Sequence, residues 1–400
     1  MLNSNSIPRK SFPASFIHAV DFSSKSLYNW TKDFLPDEYV RRREAPMRQF
    51  DYSELATRLW DSEIVSLVAK IHECKGRQDL YVRQKPSELN RMVEIARIQS
   101  TEASNRIEGI VTTDTRIKQL VEDRTTPRNR NESEILGYRD VLNTIHESYE
   151  YIPLSPSTIL QLHRDMLRPA GLSYGGSFKN TQNSIVERLP DGSKRVRFMP
   201  CAPYETPDAV ESICASYRQI LANETVDPLL LIPTFILDFL CIHPFNDGNG
   251  RMSRLLTLLL MYRSGYRVGK YISIEKQIEK SKDQYYDAIA LADENWHEGS
   301  NDPTPFIRYM LQVILAGYIE FEDRVGMMND TGVKSSPYDM VKAYASGKLG
   351  PFSGAEAVTA CPTISRSAVL AAVKQLVEEG FLLRLGNGKN TRYVRRMGDE

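Results

Sequence analysis

From Tyr52 onward, apolar residues recur at helical spacing over most of the chain. Leu59, Ile64, Val65, Leu67, Val68 and Ile71 predict one helix. Leu89, Met92, Val93 and Ala96 open a second that runs on to Ile107, with Gly109 where a glycine closes a helix. The polar stretch Asp123 to Ser133 predicts a loop before a helix from about Glu134 to Tyr149, and Ser155-Pro156-Ser157 caps another carrying Ile159, Leu160, Leu162 and Leu167. Helices resume near Asp208 and at Pro228, where Leu229 to Leu240 is almost continuously apolar and must be buried. A further buried helix follows Arg251, and two more cover roughly Lys282 to Asn295 and Thr304 to Val325. One segment breaks this rhythm. Ile185-Val186 and Val196-Arg197-Phe198 flank Pro190-Asp191-Gly192-Ser193, the signature of a β-hairpin.

Residues 327–336 are small and polar, as in a linker. Behind them the pattern predicts helices at Tyr338 to Ser346, Ser353 to Thr359 and Ser365 to Glu379. Apolar strands at 381–385 and 392–394 follow, around Gly386-Asn387-Gly388. Three helices and a hairpin in that order are a winged helix-turn-helix. Residues 1–50 predict an irregular arm whose Arg41, Arg42 and Arg43 form a solvated basic run. The expected organisation is therefore arm 1–50, helical region 51–130, mostly α core 131–326, linker 327–336 and winged helix 337–400.

Composition narrows the function classes. A 41% hydrophobic and 26% charged chain of 400 residues is globular, of about two domains. Fifty-one basic against 51 acidic residues leave no overall field steering it to nucleic acid or membrane. The five cysteines form no CxxC pair, which argues against a structural zinc site or disulfide framework and for a reducing compartment. The first thirty residues lack a signal-peptide apolar run, and Leu255 to Met261, flanked by Arg251, Arg254 and Arg263, is too short and charged to span a bilayer. The expectation is a soluble, cytoplasmic protein with no membrane partner.

The densest chemistry lies in His243-Pro244-Phe245-Asn246-Asp247-Gly248-Asn249-Gly250-Arg251-Met252-Ser253-Arg254. Gly248 and Gly250 let the backbone approach a ligand, and the following helix start offers free N–H groups to an anion. Arg251 and Arg254, three apart, share a helical face and suit a clamp on two phosphates. Asp247 suits a Mg²⁺ bridging phosphate oxygens, and His243 suits a general base. A lone His or Asp-Gly turn in a helical protein is more often structural. All these groups within twelve residues, between buried helices, point instead to a nucleotide-phosphate site.

The stretch His243 to Arg254 resembles, position by position, the HxFx(D/E)GNGRxxR motif of the Fic family, and the resemblance runs from about Tyr52 to Val325. It implies a mostly α, Fic-type helical bundle with a small hairpin flap, acting as a protein adenylyltransferase. Such an enzyme moves AMP from ATP to Ser, Thr or Tyr hydroxyls of proteins, releasing diphosphate. His243 would deprotonate the hydroxyl, and Asp247 would hold Mg²⁺. Gly248, Gly250 and Asn249 with its side chain would form the anion hole beside Asn246. Arg251 and Arg254 would bind phosphates. The hairpin around Thr181, Ile185, Val186, Glu187 and Arg188 would dock the target by strand addition, with Lys179 and Ser184 where Arg and Trp often stand. Tyr285, Tyr286 and Asp293 would lie near the adenosine. Gly250 places the chain away from the phosphotransferring Doc branch, which carries a bulkier residue there.

Ser104-Asn105-Arg106-Ile107-Glu108-Gly109 resembles the family's (S/T)xxxE(G/N) inhibitory helix. By that resemblance Ser104, Glu108 and Gly109 are regulatory, and Glu108 pairs with Arg254 where the γ-phosphate would lie. Glu108 also suits orienting a water that removes AMP, and both roles stay open. The expected partners are ATP, a hydroxyl-bearing protein target and a second copy of the chain. DNA contact through the winged helix stays open as the alternative, with the core as sensor or AMP-removing enzyme. There, Ser365, Arg366, Ser367, Lys374 and Gln375 would form the recognition helix, and Lys389, Arg392, Arg395 and Arg396 the wing.

Overall fold

Two long helices open the described chain, α1 (Ser62–Gln84) and α2 (Pro86–Ile107), after a single turn at Glu54–Thr57. The computed structural model describes residues 48–395 except 85, 189–191, 330–335, 349, 362–363, 387 and 389–390. The basic run 41–43, the hairpin tip 190–191, Lys389 and Arg396 lie outside the described residues. On α1, Ile64, Leu67, Ile71 and Cys74 face the core at helical spacing. Leu59, expected inside this helix, precedes it and is almost fully exposed, as is much of Val65.

Next come α3 (Asp114–Val121), α4 (Arg130–Ser148) and α5 (Pro156–Leu167), then a hairpin of β1 (Ile185–Arg188) and β2 (Lys194–Phe198). Helices α6 (Thr206–Asn223), α7 (Pro228–Ile242), α8 (Asn249–Arg263), α9 (Ile274–Lys280), α10 (Lys282–Ala292) and α11 (Thr304–Asn329) complete the main body. The fold is mostly helical. Helix α4 starts four residues earlier than its apolar pattern suggests, because Asn129 Oδ1 accepts the Glu132 amide at 3.0 Å and caps it. Helices α3 and α9 went unforeseen; each spans two turns and carries too few apolar positions to show a period.

The centre of the body is the pair α7 and α8. Every residue from Leu229 to Ile242 is buried, and so is every residue from Arg251 to Tyr262. Each leucine in them contributes roughly 2 kcal/mol on leaving water. Helix α6 packs on α7, α4 on α8, and α11 on α1 and α7. One hydrophobic core runs from Phe50 through Met92 and Leu255 to Val325. The division expected at 130/131 is therefore not a packing boundary: α1 and α2 share the core of α7 and α8. A small satellite cluster under α3, with Ile117, Leu120 and Ile135, stands apart from it.

Met327 to Asn329, expected in the linker, continue helix α11. The C-terminal unit has α12 (Pro337–Gly347), α13 (Gly354–Ala360), α14 (Arg366–Glu378), β3 (Leu382–Leu385) and β4 (Arg392–Arg395). Its helices begin at Ser336, Ser353 and Ser365, each serine accepting an amide of the first turn. Val341, Phe352, Val369, Leu376 and Leu382 form its own core, and Phe352 bridges to Tyr393 beside the hairpin.

A buried polar node ties three parts of the body together. Asp238 on α7 accepts from Tyr52 Oη at 2.9 Å and Trp296 Nε1 at 2.6 Å, with Arg48 Nη2 at 3.6 Å. Burial pushes its carboxyl pKa up, opposed by the Arg48 charge. Asp238→Ala should lower stability by about 3 kcal/mol, since it strands two buried donors and removes the countercharge beside Arg48. Asp238→Asn should lose less. Urea midpoints of the three proteins check this, and equal midpoints would contradict it.

Candidate active site

Helix α7 ends on His243, whose backbone turns left-handed at φ 51°. The imidazole Nδ1 lies 3.2 Å from Leu240 O. A carbonyl only accepts, so Nδ1 carries the proton and Nε2 keeps its lone pair. Enclosure by protein, and then the charge of Lys179, bring the His243 pKa down to about 4. The ring is therefore a neutral proton acceptor at physiological pH.

The loop then turns at Gly248, φ 85°, into the first turn of α8. Amides of Asn249, Gly250 and Arg251 precede the first intrahelical acceptor and sit at the positive end of the helix dipole. Asp247 Oδ1 accepts the Gly248 amide at 2.6 Å, while Tyr174 Oη lies 3.4 Å from Oδ2. Two expectations change here. The Asn249 side chain bridges Phe245, accepting from its N–H at 2.9 Å and donating to its carbonyl at 2.7 Å. It is committed to loop shape, leaving backbone as the anion cradle. Arg251 is buried and turned away from the cavity, with Nη1 2.8 Å from Glu134 on α4 and Nη2 3.6 Å from Asp247. Helical spacing places Arg251 and Arg254 as neighbours, but the packing of α4 on α8 takes the first guanidinium.

Arg254 meets α2. Its Nε donates to Ser104 Oγ at 2.8 Å, and Nη2 donates to Ser104 O at 2.9 Å and Glu108 Oε1 at 2.7 Å. Helix α2 ends in a Schellman motif, with Ile110 N on Asn105 O at 2.9 Å, Gly109 N on Arg106 O at 3.0 Å and Gly109 at φ 79°. That closure presents Glu108 to the site. The carboxylate lies so close to Gly250 that a Cβ there would sit 2.2 Å from Glu108 Oε1.

His243, Asn246, Asp247, Gly248, Asn249, Gly250, Arg254 and Glu108 line one cavity of about 220 Å³. Tyr285, Tyr286 and Asp293 line it too, with Ser184, Ile185 and Val186 from the hairpin. Of the remaining hairpin positions, Thr181 reaches Asn246 Oδ1 at 3.4 Å, Glu187 pairs with Arg195 at 2.5 Å, and Arg188 ends β1 opposite Lys194. None of these three lines the cavity.

Four residues escaped sequence reasoning. Arg197 on β2 lines the cavity and pairs with Asp293 at 2.8 Å; burial raises the Asp293 pKa to about 6 against that charge. His163 stacks on Phe245 with centroids 3.6 Å apart and contacts Asp247 O at 3.0 Å. Lys179 bonds the carbonyl that ends α7, and Asn183 a carbonyl of the loop after it. Of these, Lys179 and Arg197 stand out in the sequence only as parts of the hairpin segment.

Residues 153–261 match the family described as Fic/DOC. The match takes in the hairpin and His243 to Arg254, and leaves Glu108 and Tyr285 outside. The chain is similar to the protein adenylyltransferase Fic of Drosophila melanogaster, 28% identical over 250 residues, 61% of this chain and 43% of that protein. It thus spans less than half the length of the curated relatives it matches. A Fic family protein from Desulfovibrio desulfuricans shares the fold at TM-score 0.56 and 21% identity, over 86% of this chain and 98% of that one. A Fic domain-containing signaling protein from Bacteroides thetaiotaomicron does so at 0.51 and 24%, over 65% and 96%. Both structural likenesses speak for the fold alone.

At the C-terminal unit, several side chains expected to face DNA are committed locally. Ser365 caps α14, Lys374 lies 3.6 Å from Glu378, Gln375 donates to Glu379 at 2.9 Å and Arg392 to Glu356 at 3.0 Å, and Arg395 stacks over Phe381. Ser367 contacts Ser365, and Arg366 opens α14. Among the described residues no helix is long and apolar enough to cross a membrane.

Burial also holds His163 at about 4 and His146 at about 3, against the ordinary 6.5. With His243, three imidazoles bind protons more weakly folded than unfolded. Their contribution is present above pH 6.5 and is lost as pH falls toward 4. Asp293, raised to about 6, opposes this, because acid relieves it in the folded state. Asp238, also raised by burial, opposes it too, but three imidazoles outweigh two carboxyls, so the urea midpoint should fall between pH 6.5 and 4.5. A midpoint that stays level there would contradict the neutral buried histidines.

Proposed function

We propose that this chain is a protein adenylyltransferase that moves AMP from ATP onto hydroxyl side chains of proteins, itself included. The observation that carries the reading is the convergence of His243, the α8 N-terminus and Arg254 on one cavity. His243 Nε2 takes the proton of the target hydroxyl. The oxygen attacks the α-phosphorus, the bond to the bridging oxygen breaks, and diphosphate leaves. The amides of Asn249 and Gly250 meet the charge that develops on the phosphoryl oxygens. Tyr285 and Tyr286 offer ring faces to the adenosine end, and Asp293 with Arg197 offers polar partners there. Only a two-stranded sheet is present in the hairpin, so the outer edge of β1 can accept a target segment as a third strand.

Asp247 is the residue that would hold a Mg²⁺. One carboxylate beside an anion cradle fits an ion that takes its other ligands from substrate phosphates and water. When bound, the ion would neutralise phosphate charge and orient the diphosphate leaving group.

Glu108 is the brake in this reading. Its carboxylate takes the Arg254 donors a γ-phosphate would use, which leaves ATP without an anchor for an aligned α-phosphate. We read the C-terminal unit as a winged helix that docks a protein, because much of its basic surface is paired internally.

The test is transfer of ³²P from α-labelled ATP with Mg²⁺ to wild type, Glu108→Gly, and Glu108→Gly with His243→Ala. Glu108→Gly should label itself at least roughly tenfold more than wild type, and the double variant should lose that label. Absence of label from folded Glu108→Gly protein in the presence of cell extract would overturn the reading. Chelation with EDTA should abolish the label, and undiminished labelling would sink the role given to Asp247.

A further inference from the structure

The four carbonyls at the junction of α7 and the catalytic loop are all held by one short segment ahead of the hairpin. Lys179 Nζ donates to Ile242 O at 2.8 Å, and the Lys179 amide donates to Pro244 O at 2.8 Å. Asn183 Nδ2 reaches Phe245 O at 3.1 Å and His243 O at 3.4 Å. Lys179 Nζ also donates to Asn183 Oδ1 at 3.1 Å, which joins the two side chains into one unit. Lys179 is 3% exposed, and burial draws its pKa down to about 8. Its ammonium lies at the negative end of α7, where a cation is favoured.

This clamp acts where the backbone needs it. His243 is a non-glycine residue at φ 51°, a conformation that costs about 1 kcal/mol and persists only where neighbours over-determine it. Within α7 the one group fixing the ring is Leu240 O. Everything else that fixes the loop carbonyls from 242 to 245 comes from 179, 183 and Asn249.

We propose that Lys179 and Asn183 are positioning residues that lock His243 in its left-handed turn and tie the root of the hairpin to the catalytic loop. A target strand docking on β1 is then held in register with the base. This deepens the adenylyltransferase reading, on which its kinetic consequence rests.

The experiment uses the full chain in the Glu108→Gly background, with Lys179→Met, Lys179→Arg and Asn183→Ala. Hydrogen exchange of peptides covering 239–250 and 179–188 should speed up in Lys179→Met and Asn183→Ala, with α11 unchanged. The kcat for AMP transfer should fall roughly tenfold or more, because a small misplacement of the base is costly, while ATP Kd stays within about twofold. Lys179→Arg keeps a cationic donor and should recover most of both. Unchanged exchange in Lys179→Met and Asn183→Ala would overturn the proposal, and so would acceleration spread evenly over the whole chain. Loss of ATP binding in step with kcat would overturn the positioning role. Should Glu108→Gly transfer no AMP, the adenylyltransferase reading fails, and exchange still decides the clamp.

Discussion

A guanidinium buried as deeply as that of Arg254 requires a complete set of acceptors, and all three of its described bonds go to helix α2. Burial works against its charge, yet Glu108, together with Tyr285 and Tyr138, offsets this and leaves its pKa above the ordinary value. The seating of α2 follows from that requirement. Lys282 Nζ adds a bond to Ile107 O at 2.7 Å, and Arg106 pairs with Glu279 at 3.1 Å, so the end of α2 is held on both sides. An ion pair this enclosed contributes little net stability, because desolvation cancels most of its attraction. Its effect is to fix one helix against one anion site.

The site inherits its rigidity from what surrounds it. Helix α7 is apolar on nearly every face and α8 is buried along most of its length, so both hold position by packing, and the loop between them is short. Its polar groups brace it: Asn249 bonds Phe245, Asp247 accepts the Gly248 amide, and His163 of α5 stacks on the Phe245 ring. From this loop and the start of α8, backbone amides, the His243 imidazole and the Asp247 carboxylate face the cavity. Gly250 makes the approach of Glu108 possible, and any side chain there would evict the carboxylate. The same position thus admits the Glu108 carboxylate and shapes the first turn of α8.

What was legible in the sequence follows the range of the interactions. His243 to Arg254 is legible because its chemistry is packed into twelve residues, and the C-terminal helices because Ser336, Ser353 and Ser365 announce their starts. The placement of Glu108 on Arg254 spans 146 positions and came from a resemblance alone. The pairing of Arg251 with Glu134 is not legible, since periodicity fixes a helical face and says nothing of the α4 carboxylate packed against it. Lys179 and Asn183 act on backbone carbonyls some sixty residues away, which no side-chain pattern encodes. Helices α3 and α9 were lost for a different reason, their brevity.

The central claim is that Glu108 stands where a γ-phosphate would bind. The measurement that tests it most directly is calorimetric affinity for ADP and ATP, each with Mg²⁺, on wild type and Glu108→Gly. Wild type should bind the two nucleotides about equally, since the third phosphate finds Arg254 occupied. Glu108→Gly should prefer ATP by about tenfold, as a freed arginine gains a charge-assisted partner. A wild-type protein that already prefers ATP as strongly as the variant would contradict the account.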